Sequence, residues 1–219
     1  MRYDCILFDL DGTLLNTLDD LADSLNYTLI KYNMPTRTLD EVRRFVGNGL
    51  PKLVERAIPE GRENPQYQAF LKEFVEYYNC HNMIKTGPYP GIMDCVARLK
   101  QAGLKMAIVT NKGQTASDSL LQAMFYPTIE LVIGDDGKRR HKPESDGVEA
   151  ALQALEVVDK SRVLYVGDSE VDAQTGINSG IDFVLCSWGF RDRADLEQYK
   201  PLAFIDDINQ LCSIIDLRS

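Results

Sequence analysis

Past residue 91 the chain alternates short apolar segments with segments of helical spacing, and this alternation constrains the fold more than any other feature. The apolar segments have the length of buried strands, and each is followed by a segment whose apolar residues recur every three or four positions. Strands apolar along their whole length, alternating with helices, are typical of a parallel sheet covered on both faces. The pattern predicts an α/β fold, with strands at 104–109, 131–133, 163–166 and 183–186.

One further strand opens the chain, and a segment without strand candidates separates it from the rest. Residues 3–10 are largely apolar, and Leu18 to Leu29 then begin a helical pattern that Thr38 renews with a capping box ending at Glu41. A helix is expected to start at Asn64-Pro65. The segment Gly87-Pro88-Tyr89-Pro90-Gly91 is the clearest boundary signal. We predict an all-helical domain over 16–83, inserted into a core formed by 1–15 and 84–219.

Composition excludes several classes of protein. The formal net charge is −9 and no basic stripe is present, so we expect no nucleic-acid partner. No apolar segment is long enough to cross a bilayer, and acidic residues come too early for a signal peptide, so we expect a cytoplasmic protein without a membrane partner. The five cysteines and two histidines show no zinc pattern, and we expect reduced cysteines, several of them buried.

Polar residues follow the predicted strands where ligand sites form in α/β sheets. Carboxyl ends of parallel strands meet at one edge, so residues far apart in sequence converge there. The candidates are Asp9 and Asp11 after the first strand, Thr110 and Asn111 after the second, Lys142 in the loop after 131–133, and Asp168 with Asp172 after 163–166.

Acids that converge in this way repel one another, and a hard divalent cation relieves the repulsion. Oxygen ligands suit Mg²⁺, which keeps several waters and also accepts a substrate phosphate oxygen. Asp9 and Asp168 are the expected side-chain ligands, and the carbonyl of Asp11 is a third. The sequence therefore predicts a Mg²⁺ site.

Near such a cation, one carboxylate can attack phosphorus and form an aspartyl-phosphate. We assign this role to Asp9, and we expect Asp11 to protonate the leaving oxygen and later to accept a proton from water. Thr110 and Lys142 would hold the phosphoryl oxygens, and Gly12 would let the backbone turn beside them.

Each residue also has a plain structural explanation. A single aspartate after a strand is more often a turn former, and Gly167-Asp168-Ser169 can be a turn with a helix N-cap. The joint pattern at successive strand ends favours the catalytic interpretation. A phosphorylated signalling switch would also use acids, a threonine and a lysine at strand ends, but it has no use for a helical insertion of this size.

Four motifs resemble those of the haloacid dehalogenase superfamily in order and spacing. They are Phe8-Asp9-Leu10-Asp11-Gly12-Thr13-Leu14, Val109-Thr110-Asn111, Lys142-Pro143, and Gly167-Asp168-Ser169 with Asp172. The resemblance implies a Rossmann-like core with an inserted helical cap domain and the roles given above. It also implies that Asp172 is an outer metal ligand or orients a bound water, and that Thr13 and Asn111 support the site as substrate-binding residues.

Within the superfamily, the segments 46–50 and 187–190 resemble the phosphoglycolate phosphatase branch. This implies a phosphatase of a small phosphorylated metabolite, with 2-phosphoglycolate as the first candidate and pyrophosphate, nucleotides or sugar phosphates as alternatives. In the cap, Gly47 and Asn48 either approach the substrate or form an ordinary turn between helices. Arg43 or Arg44 either contacts a substrate carboxylate or faces solvent. A monomer and a homodimer are both compatible with the sequence.

Overall fold

The computed structural model describes residues 2–216 and contains a six-stranded sheet. The strands are β1 (Cys5–Phe8), β2 (Leu15–Asn16), β3 (Gly87–Pro88), β4 (Lys105–Gly113), β5 (Val132–Asp135), β6 (Val163–Gly167), β7 (Asp182–Cys186) and β8 (Ala203–Ile205), where β2 and β3 form a separate short pair. The strand order in the six-stranded sheet is β5-β4-β1-β6-β7-β8, and every neighbouring pair is parallel. The predicted α/β fold with a Rossmann-like parallel sheet is confirmed.

Helices connect these strands. They are α1 (Leu18–Lys31), α2 (Leu39–Phe45), α3 (Leu50–Ala57), α4 (Tyr67–His81), α5 (Ile92–Gln101), α6 (Gln114–Leu120), α7 (Asp146–Ala154), α8 (Glu170–Ser179), α9 (Arg193–Leu196) and α10 (Gln210–Ile214). The end of α6 continues into a π-helical turn, Leu121–Phe125.

Successive residues of the central strand pack on opposite faces of the sheet. Ile6 and Phe8 belong to one core cluster, together with residues of α5 and α10. Cys5 and Leu7 belong to a second cluster, with residues of α7 and α8. Because both faces are covered, every β1 residue is fully buried, which explains why this strand is apolar throughout.

The chain forms two compact units. The core unit consists of 1–15 and 88–219, and the helical unit consists of 16–87. The helical unit contains α1 to α4. The sequence places the return to the core at residue 84, whereas in the structure this unit continues to residue 87.

Of the two helix starts predicted from short motifs in the helical unit, one is confirmed and one is wrong. The capping box at Thr38 is confirmed, because its side chain accepts from the Glu41 amide while the Glu41 carboxylate accepts from the Thr38 amide. The predicted start at Pro65 is wrong, since α4 begins at Tyr67. The Asn64 side chain accepts from the Gln66 amide at 2.9 Å, and this local turn keeps 64–66 outside the helix.

Two further expectations came from composition, one about membrane spans and one about cysteines. Within residues 2–216, no helix combines the length and apolarity needed to cross a bilayer. Each cysteine is a free thiol; Cys80 is exposed, whereas Cys5, Cys95, Cys186 and Cys212 are buried.

Candidate active site

Asp9 directly follows the central strand and is held in line with it. Its backbone amide donates to the carbonyl of Val166 in the neighbouring strand at 2.9 Å. The chain then turns sharply at Gly12, where φ is +90° and an added Cβ would lie 2.5 Å from an Asp168 oxygen. Only glycine fits this position, because any side chain would collide with the carboxylate that the turn faces.

Three carboxylates, those of Asp9, Asp168 and Asp172, converge at the carboxyl edge of β1 and β6. One oxygen of each lies within 4.8 Å of the others, and all three residues are buried. The residues are 8%, 1% and 0% exposed. Acids so close together, and so far from water, need compensating positive charge.

Part of that charge comes from Lys142. Its ammonium nitrogen lies 2.8 Å from Asp9 Oδ1 and 2.7 Å from Asp172 Oδ1. It also donates to the hydroxyl of Tyr165 at 3.0 Å. The lysine therefore bridges two of the three acids, and its side chain is only 4% exposed.

Ionisation of the clustered acids stays unfavourable despite this lysine, and their pKa values show it. Burial and the charge of Asp172 raise the pKa of Asp9 to about 7, although Lys142 acts in the opposite direction. Burial, Asp172 and Asp9 raise the pKa of Asp168 well above its usual range. Burial alone would lower the pKa of Lys142, but Asp172 and Asp9 outweigh it and raise that pKa.

These observations fit a bound cation. If Asp11 is included and all four acids are ionised, the site carries four negative charges against the two ammonium groups of Lys142 and Lys112, an excess of two negative charges. A divalent cation supplies this charge, and carboxylate oxygens are hard ligands of the kind that Mg²⁺ or Ca²⁺ prefers. The buried acidic cluster thus suggests a metal ion.

Asp168 is positioned by long-range contacts. The Thr13 hydroxyl donates to its Oδ1 at 3.1 Å, and the Phe190 amide donates to its Oδ2 at 2.7 Å. An added Cβ on Gly189 would lie 2.2 Å from Asp168 Cβ, so the loop after β7 can approach only because residue 189 is glycine. Thr13 therefore orients a carboxylate of the cluster, and its predicted contact with the substrate stays a prediction.

Asp172 is fixed more completely than the other acids. Its Oδ2 accepts from the Asp168 amide, the Ser169 amide and the Ser169 hydroxyl. Ser169 is also the N-cap of α8 and forms a capping box with Asp172. The helix N-terminus and the acidic cluster are therefore built from the same residues. The N-cap interpretation of this motif is confirmed, and its role in catalysis stays a prediction.

Strand β4 is longer than predicted. It continues through Thr110 and Asn111 to Gly113, because Gly113 pairs with Asp135 beyond an irregularity that follows Val109. The predicted strand end at residue 109 is wrong for this reason.

The side chain of Asn111 connects β4 to the loop that carries Lys142 through two hydrogen bonds. Its side-chain amide donates to the Lys142 carbonyl at 3.0 Å, and its oxygen accepts from the Lys142 amide at 2.8 Å. Asn111 thus positions the backbone of the motif lysine. The hydroxyl of neighbouring Thr110 accepts from the Lys112 amide at 3.2 Å, and Thr110 is buried.

The carboxylate of Asp11 lies apart from the acidic cluster and forms an ion pair with Lys112. The ammonium is 3.0 Å from Oδ1 and 3.2 Å from Oδ2. The predicted ligand atom of Asp11 was its carbonyl oxygen, and that role stays a prediction.

Two residues of the site, Lys112 and Tyr165, are missed from the sequence alone. Lys112 directly follows Thr110-Asn111, and this adjacency was the available signal. Tyr165 lies inside a continuous apolar strand and has the pattern of an ordinary core residue.

Gly47 and Asn48 lie in the helical unit, between α2 and α3. Gly47 adopts φ of +119°. The Arg56 guanidinium donates to Asn48 Oδ1 at 2.9 Å and to the Phe45 carbonyl at 2.7 Å, so it fixes the conformation of this loop. Arg44 pairs with Asp40 and is largely exposed.

The parallel sheet, the buried acidic cluster and the buried lysine define a candidate catalytic centre at the carboxyl ends of the strands. The model of the family described as haloacid dehalogenase-like hydrolase matches residues 6–186. The chain belongs to the haloacid dehalogenase-like hydrolases and is an enzyme of that family.

Individual relatives agree with this assignment. The chain is 36% identical over 191 residues to the phosphoglycolate phosphatase of Caulobacter vibrioides, covering 85% of this chain and 80% of that protein. It is 33% identical over 215 residues to the phosphoglycolate phosphatase of Mesorhizobium japonicum, covering 96% and 94%. A crystal structure of a predicted phosphoglycolate phosphatase from Lactobacillus delbrueckii subsp. bulgaricus superposes with a TM-score of 0.92 at 31% identity, over 98% and 99% of the two chains.

Proposed function

We propose that this protein is a Mg²⁺-dependent phosphatase that hydrolyses a small phosphorylated metabolite, with 2-phosphoglycolate as the leading substrate. The observation that carries the proposal is the Asp9 carboxylate at the end of the central strand, 2.8 Å from the buried Lys142 ammonium and grouped with two further buried acids. The choice of substrate rests on the relatives named phosphoglycolate phosphatase.

In the first step, an Asp9 oxygen attacks phosphorus and the bond between phosphorus and the ester oxygen breaks, which gives an aspartyl-phosphate and an alcohol. Lys142 holds Asp9 in position for this attack. Thr110, on the neighbouring strand β4, would donate to a phosphoryl oxygen. Groups fixed before the reaction stabilise developing charge without reorganising, which is the main source of catalysis in phosphoryl transfer.

Asp11 acts as the general acid and then as the general base. It donates one to the leaving alkoxide and, in the second step, accepts one from the water that attacks the aspartyl-phosphate. The bond between phosphorus and the Asp9 oxygen then breaks, orthophosphate leaves, and both acids return to their starting state.

Asp9 and Asp168 would hold Mg²⁺, with the Asp11 carbonyl as a further ligand. When bound, this ion neutralises charge on the phosphoryl group and between the acids. Asp172, whose two oxygens already accept from Lys142, Ser169 and backbone amides, would act from outside the ligand set by orienting its neighbours.

Substrate choice is assigned to the helical unit, the predicted cap domain. Gly47 and Asn48 form a fixed loop there, and we infer that this loop helps to select the substrate. The same site chemistry would serve pyrophosphate, nucleotides or sugar phosphates, so the identity of the leaving group must be measured.

The test is release of orthophosphate from a panel of phosphorylated metabolites that includes 2-phosphoglycolate, with p-nitrophenyl phosphate as a generic substrate. The wild-type protein should turn over with Mg²⁺, and Asp9→Asn should lose activity by about 10⁴-fold or more, as expected for a nucleophile. Asp94→Asn, on the exposed first turn of α5, is the matched control and should behave as wild type.

Three results would contradict the proposal. Turnover retained by Asp9→Asn would reject the nucleophile, and activity indifferent to EDTA would reject the metal. Stable phosphorylation of Asp9 without release of orthophosphate would favour a signalling switch instead.

A further inference from the structure

We propose that Tyr165 is a positioning residue for this reaction: its buried hydroxyl fixes the ammonium of Lys142, and through it the nucleophile Asp9. The inference rests on the proposed function, since it concerns how the nucleophile is held.

An ammonium group has three hydrogens to donate, and Lys142 has an acceptor for each. They are Asp9 Oδ1 at 2.8 Å, Asp172 Oδ1 at 2.7 Å and the Tyr165 hydroxyl at 3.0 Å. With all three donors used, the direction of the bond to Asp9 is determined by the other two. Removing one acceptor leaves the ammonium free to rotate and to shift from its place between the acids.

Tyr165 is itself anchored. Its hydroxyl donates to the carbonyl of Val109 on β4 at 3.0 Å and lies 3.3 Å from Asp172 Oδ1. Val109 immediately precedes Thr110. The hydroxyl therefore connects the lysine to the strand that carries the expected phosphate-binding threonine, across the central strand β1.

Packing alone does not explain this tyrosine. The ring is fully buried among the apolar residues that cover one face of the sheet. A phenylalanine would fill the same space without bringing a polar atom into the core, where an unpaired hydroxyl is costly. The hydroxyl has partners only because the lysine, the Asp172 carboxylate and the Val109 carbonyl meet there.

The chain offers a matched control in Tyr3. This tyrosine is also fully buried, and its hydroxyl donates to Asp182 Oδ2 at the opposite edge of the sheet. Tyr165→Phe and Tyr3→Phe each delete one buried hydroxyl bonded to a side chain, but only the first deletion touches Lys142.

The first measurement is steady-state kinetics on the best phosphomonoester. Tyr165→Phe should lower kcat by about tenfold or more, because small misplacement of a reacting group is costly. KM should stay within about threefold, since substrate contacts are unchanged. Tyr3→Phe should keep the wild-type kcat. Wild-type kcat in Tyr165→Phe, an equal loss in both variants, or a loss confined to KM would overturn the proposal.

The second measurement is NMR of the lysine ammonium groups and does not depend on activity. Lys142 and Lys112 have side chains 4% and 1% exposed and should give slowly exchanging signals, assigned through Lys142→Arg and Lys112→Arg. Tyr165→Phe should remove the Lys142 signal and leave that of Lys112. An unchanged Lys142 signal would contradict the inference.

If Tyr165→Phe does not fold, the NMR spectrum of the wild-type protein tests the proposal instead. Magnetisation transfer between the Lys142 ammonium and the Tyr165 ring protons is then the expected result, and its absence overturns the proposal. If the wild-type protein hydrolyses no phosphomonoester, the proposed function fails while this spectrum still tests the contact, so the two failures can be told apart.

Discussion

The Asp11 carboxylate and the Lys112 ammonium form a buried ion pair, with the nitrogen 3.0 Å and 3.2 Å from the two oxygens. The lysine side chain is 1% exposed and that of Asp11 is 15% exposed. Burying two charges costs free energy that their attraction often does not recover, so such a pair is weak evidence for stability. Its place beside the expected acid/base group instead suggests that Lys112 sets the direction of that carboxylate.

Lys112→Met should therefore reduce activity through Asp11. We expect kcat/KM to fall by about tenfold or more on an alkyl phosphate, whose leaving oxygen needs a proton, and by less on p-nitrophenyl phosphate. Lys105→Met on the same strand, where the ammonium is exposed and contacts the Leu155 carbonyl, is the control. In an Asp11→Asn background the Lys112 substitution should add little. An equal loss on both substrates would assign Lys112 to phosphate binding instead.

Metal binding should be visible without any substrate. Mg²⁺ relieves the repulsion between Asp9 and Asp168, so it should raise Tm in a concentration-dependent manner, and EDTA should reverse the rise. Asp168→Asn removes a ligand and should abolish most of the shift, whereas Asp94→Asn should keep it. Differential scanning fluorimetry with and without Mg²⁺ measures both. If Mg²⁺ raised the Tm of Asp168→Asn as much as that of the wild-type protein, Asp168 would not be a metal ligand.

The raised pKa of Asp9 makes a prediction for the chelated protein. Folding raises the pKa of this carboxyl from its ordinary 3.8 to about 7. Between these values the folded protein keeps a proton that the unfolded chain has lost, so stability should decrease as pH rises from about 4 to about 7 and level off above. The contribution of this one group is at most about 4 kcal/mol.

Asp9→Asn isolates this contribution. Because asparagine does not titrate, urea unfolding in EDTA should show a smaller decrease between pH 5 and pH 7 for the variant than for wild type or Asp94→Asn. Parallel curves for wild type and Asp9→Asn would show that the Asp9 carboxyl is not destabilised by its surroundings in the folded state.

The sequence predicted those features that depend on local or periodic signals. Apolar strands alternating with helices determined the sheet, and the capping box at Thr38 depends on residues three positions apart. Parallel strands also share one carboxyl edge, and the structure brings Asp9, Asp168, Asp172 and Lys142 together there.

Long-range packing set the features that the sequence did not predict. Which way Tyr165 faces depends on the register of β6 against β1. The close approach of Gly189 to Asp168 depends on a loop that follows a different strand. Strand β4 extends beyond residue 109 only because β5 provides a partner for Gly113. Single-sequence patterns do not carry these contacts, because their partners are distant along the chain.

A buried carboxylate in the helical unit gives the last prediction. Asp20 is 2% exposed, and its Oδ2 accepts from the amides of Ile84, Lys85 and Thr86 and from the Thr86 hydroxyl. One side chain on the first turn of α1 thus satisfies the backbone of a segment more than sixty residues away. Without it, three amides and a hydroxyl lose a charged acceptor, and the two Thr86 donors are buried, where an unpaired donor is costly.

Asp20→Ala should lower the free energy of unfolding by about 2–4 kcal/mol. Asp23→Ala is the matched control on the same helix, because it removes only an exposed ion pair with Lys85, and such pairs contribute about 0–1 kcal/mol. Urea unfolding gives the two values, and hydrogen exchange shows where they act: the amides of 84–86 should lose protection in Asp20→Ala and keep it in Asp23→Ala. Equal effects of the two substitutions would mean that the Asp20 contacts add nothing beyond surface charge.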